Sequence, residues 1–291
     1  YIDTDSVFYS ATPLIKKRYP DLDMSNDNQM TKVILNIASE VQSYLNIGYD
    51  YFAKKFCNLD KHRFDIKQEC VAKSAFWVTK KRYGQWIIND GGVKCDKVDV
   101  KGLDIVRSNF PPAMRKLMTE VLRGVLSKRN KDELDELIIT FKKEMKMMPI
   151  VDVALPTGVS KLTKFVDKRH SNKKIYGAGS IFTETHKGAP VHVKAAIKYN
   201  DLLKHFGAEN TEPIRNKEKI RWAYMKKNPL GIDALAFKGY DDPKQITDFI
   251  EQYIDYDRLF KGALEKKIKM FYDAMSWDLP VDKINTLERF F

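Results

Sequence analysis

The chain has 291 residues, 43% of them hydrophobic and 12% aromatic, with only 14 Gly and 11 Pro, which gives room for one large domain or two ordinary ones and excludes collagen-like, low-complexity and globally disordered classes. A total of 51 Lys and Arg against 39 Asp and Glu leaves a net charge of +12, an excess that favours a polyanionic partner. No apolar run reaches the ~18 residues of a spanning helix, residues 1–10 carry two acids rather than a basic leader, and Cys57, Cys70 and Cys95 show no CxxC spacing, so membrane insertion and secretion are disfavoured and a reducing, cytoplasmic compartment fits.

From the N-terminus, Ile2, Thr4, Ser6 and Phe8 alternate with small or acidic neighbours in the manner of a short strand, turn and strand, with Asp3 and Asp5 at the tip. The apolar spacing of Met30, Val33, Ile34, Ile37, Val41, Tyr44, Leu45 and Phe52 predicts an amphipathic helix over 30–52, capped by Asn26 or Asp27. Strands are expected over 63–71, 75–80 and 82–89, with Asn89-Asp90-Gly91-Gly92 supplying hairpin turn chemistry. Beyond Val106 the character becomes helical: Pro111 precedes Met114, Leu117, Met118, Val121, Leu122 and Val125 on one face, and a second helix follows near 133–147. Residues 160–176 hold Lys161, Lys164, Lys168, Arg169, Lys173 and Lys174 against the single acid Asp167, the densest basic stretch in the chain. A helix near 193–205, strands near 221–225 and 234–237, and two helices within 243–275 complete an α+β chain: a partial β-sheet region with a long helix, then a mostly helical region with a small β element.

The chemistry concentrates in Tyr1-Ile2-Asp3-Thr4-Asp5-Ser6. Two carboxylates two residues apart share a face in an extended segment, though a hairpin tip alters that geometry. Hard oxygen donors held close together suit Mg²⁺ or Mn²⁺, and a pair of such ions serves phosphoryl transfer. Alone, an Asp-x-Asp pair is most often a solvated turn; flanked by apolar strand residues, the hexapeptide is rarer.

The hexapeptide resembles the YxDTDS motif of family B DNA polymerases, where it forms a palm hairpin carrying catalytic aspartates. Lys80-Lys81-Arg82-Tyr83 resembles that family's KKRY segment, which closes on the minor groove at the primer end. Phe64-Asp65-Ile66-Lys67-Gln68-Glu69 resembles the preceding strand, 100–108 the segment leading into the thumb, and 190–194 and 228–231 thumb segments of the polymerases of large tailed, myovirus-type phages. The resemblance implies palm over 1–107 and thumb over 108–291, ending in a clamp-binding peptide at about 285–291.

By residue, it implies that Asp5 is the principal ligand of two Mg²⁺ ions, with Mn²⁺ an alternative, and Asp3 its companion. Thr4 and Ser6 would lie beside the primer terminus, Lys81 would reach the minor groove with help from Lys80, Arg82 and Tyr83, and Glu69 would be an acid supporting the metals. A Lys-Lys-Arg-Tyr run also has physical sense of its own, offering charge to phosphate and a donor to minor-groove acceptors without reading sequence. Lys161, Lys164, Lys168 and Arg169 are expected on DNA, and Leu287, Phe290 and Phe291 on a sliding clamp, the alternative being that they pack on their own thumb.

Several family features are not found in these residues: a second aspartate from another palm strand, a fingers helix for the incoming dNTP and a proofreading exonuclease, all of which the family places upstream of YxDTDS. Lys67 stands where several relatives carry an acid, which leaves Glu69 as the only candidate there. The histidines, His62, His170, His186, His192 and His205, show no metal-ligand spacing, and no GxxxxGK loop occurs. Together with the start at Tyr1 rather than Met, this leads us to expect a piece of something longer or a split subunit, inactive without the upstream polymerase portion. Expected partners are therefore primer-template DNA, dNTP, the sliding clamp and that upstream portion, and the expected location is the cytoplasm, the host's if the source is viral. The alternative expectation is a duplex- and clamp-binding subunit with no activity of its own.

Overall fold

The computed structural model describes residues 2–3, 6–165, 182–183, 185–208 and 210–280. It divides into two compact units, the first comprising Tyr1–Leu103 and Leu122–Lys128, the second Asp104–Val121 and Arg129–Phe291. The α+β class expected from the sequence is observed. Among the described residues no helix is long and apolar enough to cross a membrane.

The first unit opens with β1 (Ile2–Asp3) and β2 (Ser6–Val7), paired antiparallel as Ile2↔Val7 and Asp3↔Ser6. A short helix, α1 (Thr12–Arg18), follows, with Pro13 in its first turn. The long α2 (Asp27–Cys57) extends beyond the apolar stripe at both ends; Asn26 caps it, its side-chain oxygen accepting from the Gln29 N–H at 3.1 Å, and Asn58 ends it in the left-handed conformation. Three antiparallel strands, β3 (Cys70–Thr79), β4 (Arg82–Asp90) and β5 (Val93–Lys101), form the sheet in sequence order. Between β4 and β5 the two-residue turn Gly91-Gly92 uses positive φ at both positions, the hairpin geometry that Gly supplies without strain. Asn89 steadies it by accepting from the Gly92 N–H at 3.1 Å.

Of the strand expected over 63–71 only Cys70 and Val71 are strand, as the start of β3; 63–69 are not, because their ladder has no partner. β4 ends at Asp90, paired with Cys70, and the Gly91 N–H donates to the Glu69 carbonyl at 2.7 Å, which closes the ladder at Glu69. Residues 62–69 are irregular, and Phe64 lies against His62 and Tyr49 instead. The Lys-Lys-Arg-Tyr run is also not all strand. Thr79 pairs with Arg82, so Lys80 and Lys81 are the turn, and only Arg82 and Tyr83 join β4.

The second unit begins at a 3₁₀ turn (Asp104–Val106). α3 (Pro112–Leu126) carries the expected apolar face, with Met114, Leu117, Met118 and Val121 buried in this unit. α4 (Lys131–Glu144) is capped by Asn130, which accepts from the Glu133 N–H at 2.9 Å. After the short α5 (Ile150–Val153) come β6 (Leu155–Gly158), the single-turn α6 (Leu162–Phe165) and α7 (Val191–His205). β7 (Lys219–Tyr224) and β8 (Ala234–Phe237) complete a sheet ordered β6-β7-β8, all antiparallel. Residues of β8 are buried at every position, and α7 covers the sheet with Val193, Ala196, Tyr199, Leu202 and Leu203. α8 (Lys244–Tyr253), α9 (Tyr256–Phe260), a π turn (Lys261–Glu265) and α10 (Lys266–Ala274) finish the described chain. The Tyr272 hydroxyl donates to Asp135 at 2.8 Å, which ties α10 to α4.

Candidate nucleic-acid interface

In the first unit, the β1–β2 ladder places Asp3 opposite Ser6. Thr4, Asp5 and the Asp3 side chain lie outside the described residues; Ser6 is half-buried. As the chain leaves β2, the Phe8 ring meets Trp77 edge-on at 5.9 Å and Tyr83 at 5.7 Å, and Trp77 and Tyr83 pair across β3 and β4 with rings 6.2 Å apart. Tyr83 is buried. Edge-to-face aromatic packing of this kind is directional, so the hairpin's exit is fixed to the base of the Lys80–Lys81 turn. Both turn lysines are exposed, whereas Arg82 is half-buried and its Nε–H donates to the Gly102 carbonyl at 3.2 Å.

Glu69 sits at the other end of β3. Ten residues of strand separate it from the lysine turn, roughly 30 Å at the usual rise of ~3.3 Å per residue. Its side chain is exposed on a cleft shared with Gln42, Lys67 and Asp90. The structure does not bring Glu69 to the lysine turn.

In the second unit, Lys161 and Lys164 are exposed on and beside α6. The loop that carries them is fixed from below: the Leu162 N–H donates to Asn216 Oδ1 at 2.7 Å, the Lys217 N–H to the Val159 carbonyl at 2.7 Å, and the Val159 N–H to the Glu218 carbonyl at 2.9 Å. Gly158 pairs with Lys219. These contacts bring the exposed Lys217 and Lys219 to the 158–164 segment, and the acid between them, Glu218, is engaged by Lys238 at 3.2 Å. Lys168 and Arg169 lie outside the described residues, as do Leu287, Phe290 and Phe291.

A sequence model described as DNA polymerase family B matches residues 33–273. The chain belongs to DNA polymerase family B. Similar proteins include the DNA-directed DNA polymerase of Escherichia phage RB69, 22% identical over 291 residues that cover 96% of this chain and 30% of that one. A DNA polymerase of Paramecium bursaria Chlorella virus NY2A is 24% identical over 259 residues, 88% of this chain and 25% of that one. A shorter similarity, 32% over 77 residues, is to the human putative protein SSX8, covering 25% of this chain. The chain thus spans about a third or less of the length of the two polymerases it is similar to. The region matched by the family B model includes the lysine turn and both parts of the second unit's lysine cluster, and Asp3 and Asp5 precede it.

Lys217 and Lys219 were missed from the sequence because they lie some forty residues beyond the basic run; only the β6–β7 pairing unites them. Their signal in the sequence, Arg215-Asn216-Lys217-Glu218-Lys219, is basic but interrupted by an acid, and nothing local shows that Lys238 occupies that acid. Titration behaviour around the α7 sheet is structural. Burial raises the Tyr199 hydroxyl pKa, helped by the 2.8 Å bond it donates to Asp242. Burial also raises the Asp201 carboxyl, against the two bonds it accepts from Thr183. Among the described residues no three His, Cys, Asp or Glu side chains are grouped to hold a metal ion.

Proposed function

We propose that this chain supplies the catalytic turn and much of the primer-template grip of a polymerase that joins dNTPs to a primer 3′ hydroxyl. The observation that carries the reading is the aromatic contact of Phe8 with Trp77 and Tyr83, which joins the YxDTDS hairpin to the lysine turn in a family B chain. In this reading Asp5 and Asp3 hold Mg²⁺ or Mn²⁺; two carboxylates within three residues are the hard donors such ions take. When bound, a pair of these ions activates the attacking oxygen and stabilises the leaving one. The chain's own residues do the rest. Lys80 and Lys81 bring two ammonium groups to the duplex near its growing end, Arg82 and Tyr83 support them, and Ser6 and Thr4 border the primer terminus.

Lys161, Lys164, Lys217 and Lys219 offer a second basic surface to the duplex phosphates, with Lys168 and Arg169 proposed to add to it, and none of those four described lysines makes an ion pair among the described residues. Such a grip is independent of base sequence and belongs to the mechanism, since phosphoryl transfer depends on positioning and charge neutralisation. The rest of a polymerase is the proposed protein partner. Its support is the exposed apolar face of α2, where Tyr44, Ile47, Tyr51, Phe52 and Phe56 are all more than half exposed. Leu287, Phe290 and Phe291 are proposed to hold a sliding clamp, and the site of action is the cytoplasm, of the host if the source is viral. Glu69, at the end of β3 away from the lysine turn, has no part in this reading.

The test is primer extension by a complete polymerase carrying this segment. Asp5→Asn is expected to lower turnover by at least two orders of magnitude, about 3 kcal/mol, while duplex binding holds. A fall of less than tenfold would remove Asp5 from the metal site. The 291-residue chain alone is expected to bind duplex without sequence preference and to extend no primer.

A further inference from the structure

The conformation of the Lys80–Lys81 turn is not set by the turn itself. A two-residue link between paired strands is short, and Lys81 adopts φ +61°, a left-handed conformation that a lysine takes up at a cost. What lies against it is Gly102, the residue just past β5. Gly102 has φ +66°, and a Cβ placed on it would stand 2.1 Å from the Lys81 carbonyl oxygen and 3.2 Å from Arg82 Cγ. A separation of 2.1 Å to a backbone oxygen is inside any contact distance and cannot be relieved by turning a side chain. By contrast, a Cβ on the buried Gly84 would meet the tip of Leu122 at 2.9 Å, the movable end of a flexible side chain.

Gly102 is held from both sides. Lys101 pairs with Tyr83, the Arg82 Nε–H donates to the Gly102 carbonyl, and Leu103 is fully buried. The last residues of β5 therefore cannot move away from the turn to admit a larger residue. The turn would have to move.

We infer that Gly102 is a positioning residue for the lysine turn: its missing side chain lets the Lys81 carbonyl seat against the end of β5 and so fixes where the Lys80 and Lys81 ammonium groups point. The inference rests on the proposal that this turn grips duplex DNA, and it adds a residue that touches no DNA to the set on which that grip depends. The role needs glycine on two counts, positive φ and absence of Cβ.

The test is duplex binding by the full 291-residue chain, using a fluorescein-labelled 20-base-pair duplex of random sequence across a salt series. Lys81→Ala is expected to weaken binding several-fold and to reduce the slope of log affinity against log salt by about one, the signature of one cation withdrawn from the duplex. Gly102→Ala is expected to do the same although it removes no charge, and the double variant to bind no more weakly than either single one. Global destabilisation would not produce that non-additivity, nor a changed salt slope in the folded fraction.

Should Gly102→Ala fail to fold, insertion of one glycine between Lys80 and Lys81 serves instead. It keeps both lysines and Gly102 but unseats the Lys81 carbonyl, and it is expected to weaken binding as Lys81→Ala does. Undiminished affinity in Gly102→Ala, or in the insertion variant, alongside a clear loss in Lys81→Ala would overturn the inference and leave the DNA-gripping turn standing. No loss in Lys81→Ala would instead remove the DNA-gripping turn, and the inference with it.

Discussion

In the second unit every residue of β8 is buried and α7 lies over the sheet with eight of its residues buried; in the first unit α2, twice as long, buries only Ile37, Ala38 and Ala53. The same residue types thus do different things in the two places. Ile197 and Tyr199 close a core, whereas Ile47 and Tyr51 face outward at 71% and 63% exposure. Among its described residues the second unit covers most of its large hydrophobic side chains, leaving Val106, Met147, Val191 and Tyr240 exposed. The first has an ordered sheet and a long helix whose apolar face its own residues leave uncovered, which suits a face built to meet another polypeptide.

The largest effect that sharpens this contrast is a core truncation. Phe237, 1% exposed on β8, replaced by Ala should cost about 3–5 kcal/mol by loss of burial and creation of a cavity. Tyr51→Ala on α2 should change stability by no more than about 0.5 kcal/mol. Urea titrations of the two variants, followed by circular dichroism, check both. A Tyr51→Ala cost comparable with that of Phe237→Ala would break the contrast and mean that the α2 face is covered in the isolated chain, for instance by self-association.

A smaller effect comes from the polar contacts that complete the second core. The Tyr199 hydroxyl donates to Asp242, whose oxygens also accept from the Lys238 and Gly239 N–H groups at 2.9 and 2.7 Å. Tyr199→Phe leaves Asp242 with those two donors, so the expected loss is about 1–2 kcal/mol rather than the larger cost of an orphaned buried carboxylate. Tyr51→Phe, at an exposed hydroxyl, should be neutral by the same titration.

The helix caps come next. Asn26 and Asn130 each accept from the third residue of their helix, and replacing either by Ala should cost about 1 kcal/mol. The consequence should differ: α4 buries Leu134, Ile138 and Phe141, whereas the start of α2 relies on little packing until Ile37. Fraying after Asn26→Ala is expected to reach further along the helix than after Asn130→Ala, visible as lost amide-exchange protection over the first two turns. Equal loss of protection in both would mean that packing does not distinguish them.

What the sequence disclosed of this fold follows from the range of the forces involved. The helices α2, α3, α4 and α7 were legible because helical apolar spacing is a local signal, joined at α2 by the Asn26 cap, and so was the Gly91-Gly92 turn. β5 and β6 were not: Val93–Lys101 is largely polar, with Lys94, Asp96, Lys97 and Asp99, and it is a strand because β4 offers it a ladder. The expected strand residues 63–69 are the converse, a suitable sequence whose neighbour turns away at Gly91. At the candidate site, the Lys80–Lys81 run was plain in the sequence. Its dependence on Gly102 was not, since the 2.1 Å approach arises only when β3, β4 and β5 are laid side by side. Lys217 and Lys219 were hidden for the same reason.

The smallest predicted effect concerns acid. On α7, burial lowers the His192 pKa below its ordinary 6.5, so the folded second unit favours the neutral imidazole more than the unfolded chain does. Between the folded pKa and 6.5 the unfolded chain binds more protons, and stability must therefore fall as pH drops from about 6.5 and level off once the folded pKa is passed. Asp201 acts in the opposite direction: burial raises its pKa against the Thr183 bonds, so its contribution shrinks as pH climbs from 3.8 toward the folded value. In the first unit, Asp23 has its pKa lowered by the bonds it accepts from the Ser25 hydroxyl and N–H. The stability it lends is complete above 3.8 and is lost only as pH falls below that, through the folded pKa. Acidification from pH 7 to pH 5 should thus weaken the second unit through His192 and leave Asp23's contribution to the first unchanged. Amide exchange read separately in α7 and α2 at the two pH values, corrected for intrinsic rates, measures this, with His192→Gln expected to flatten the α7 response. An α7 response that persists in full in His192→Gln would assign the pH sensitivity to another group.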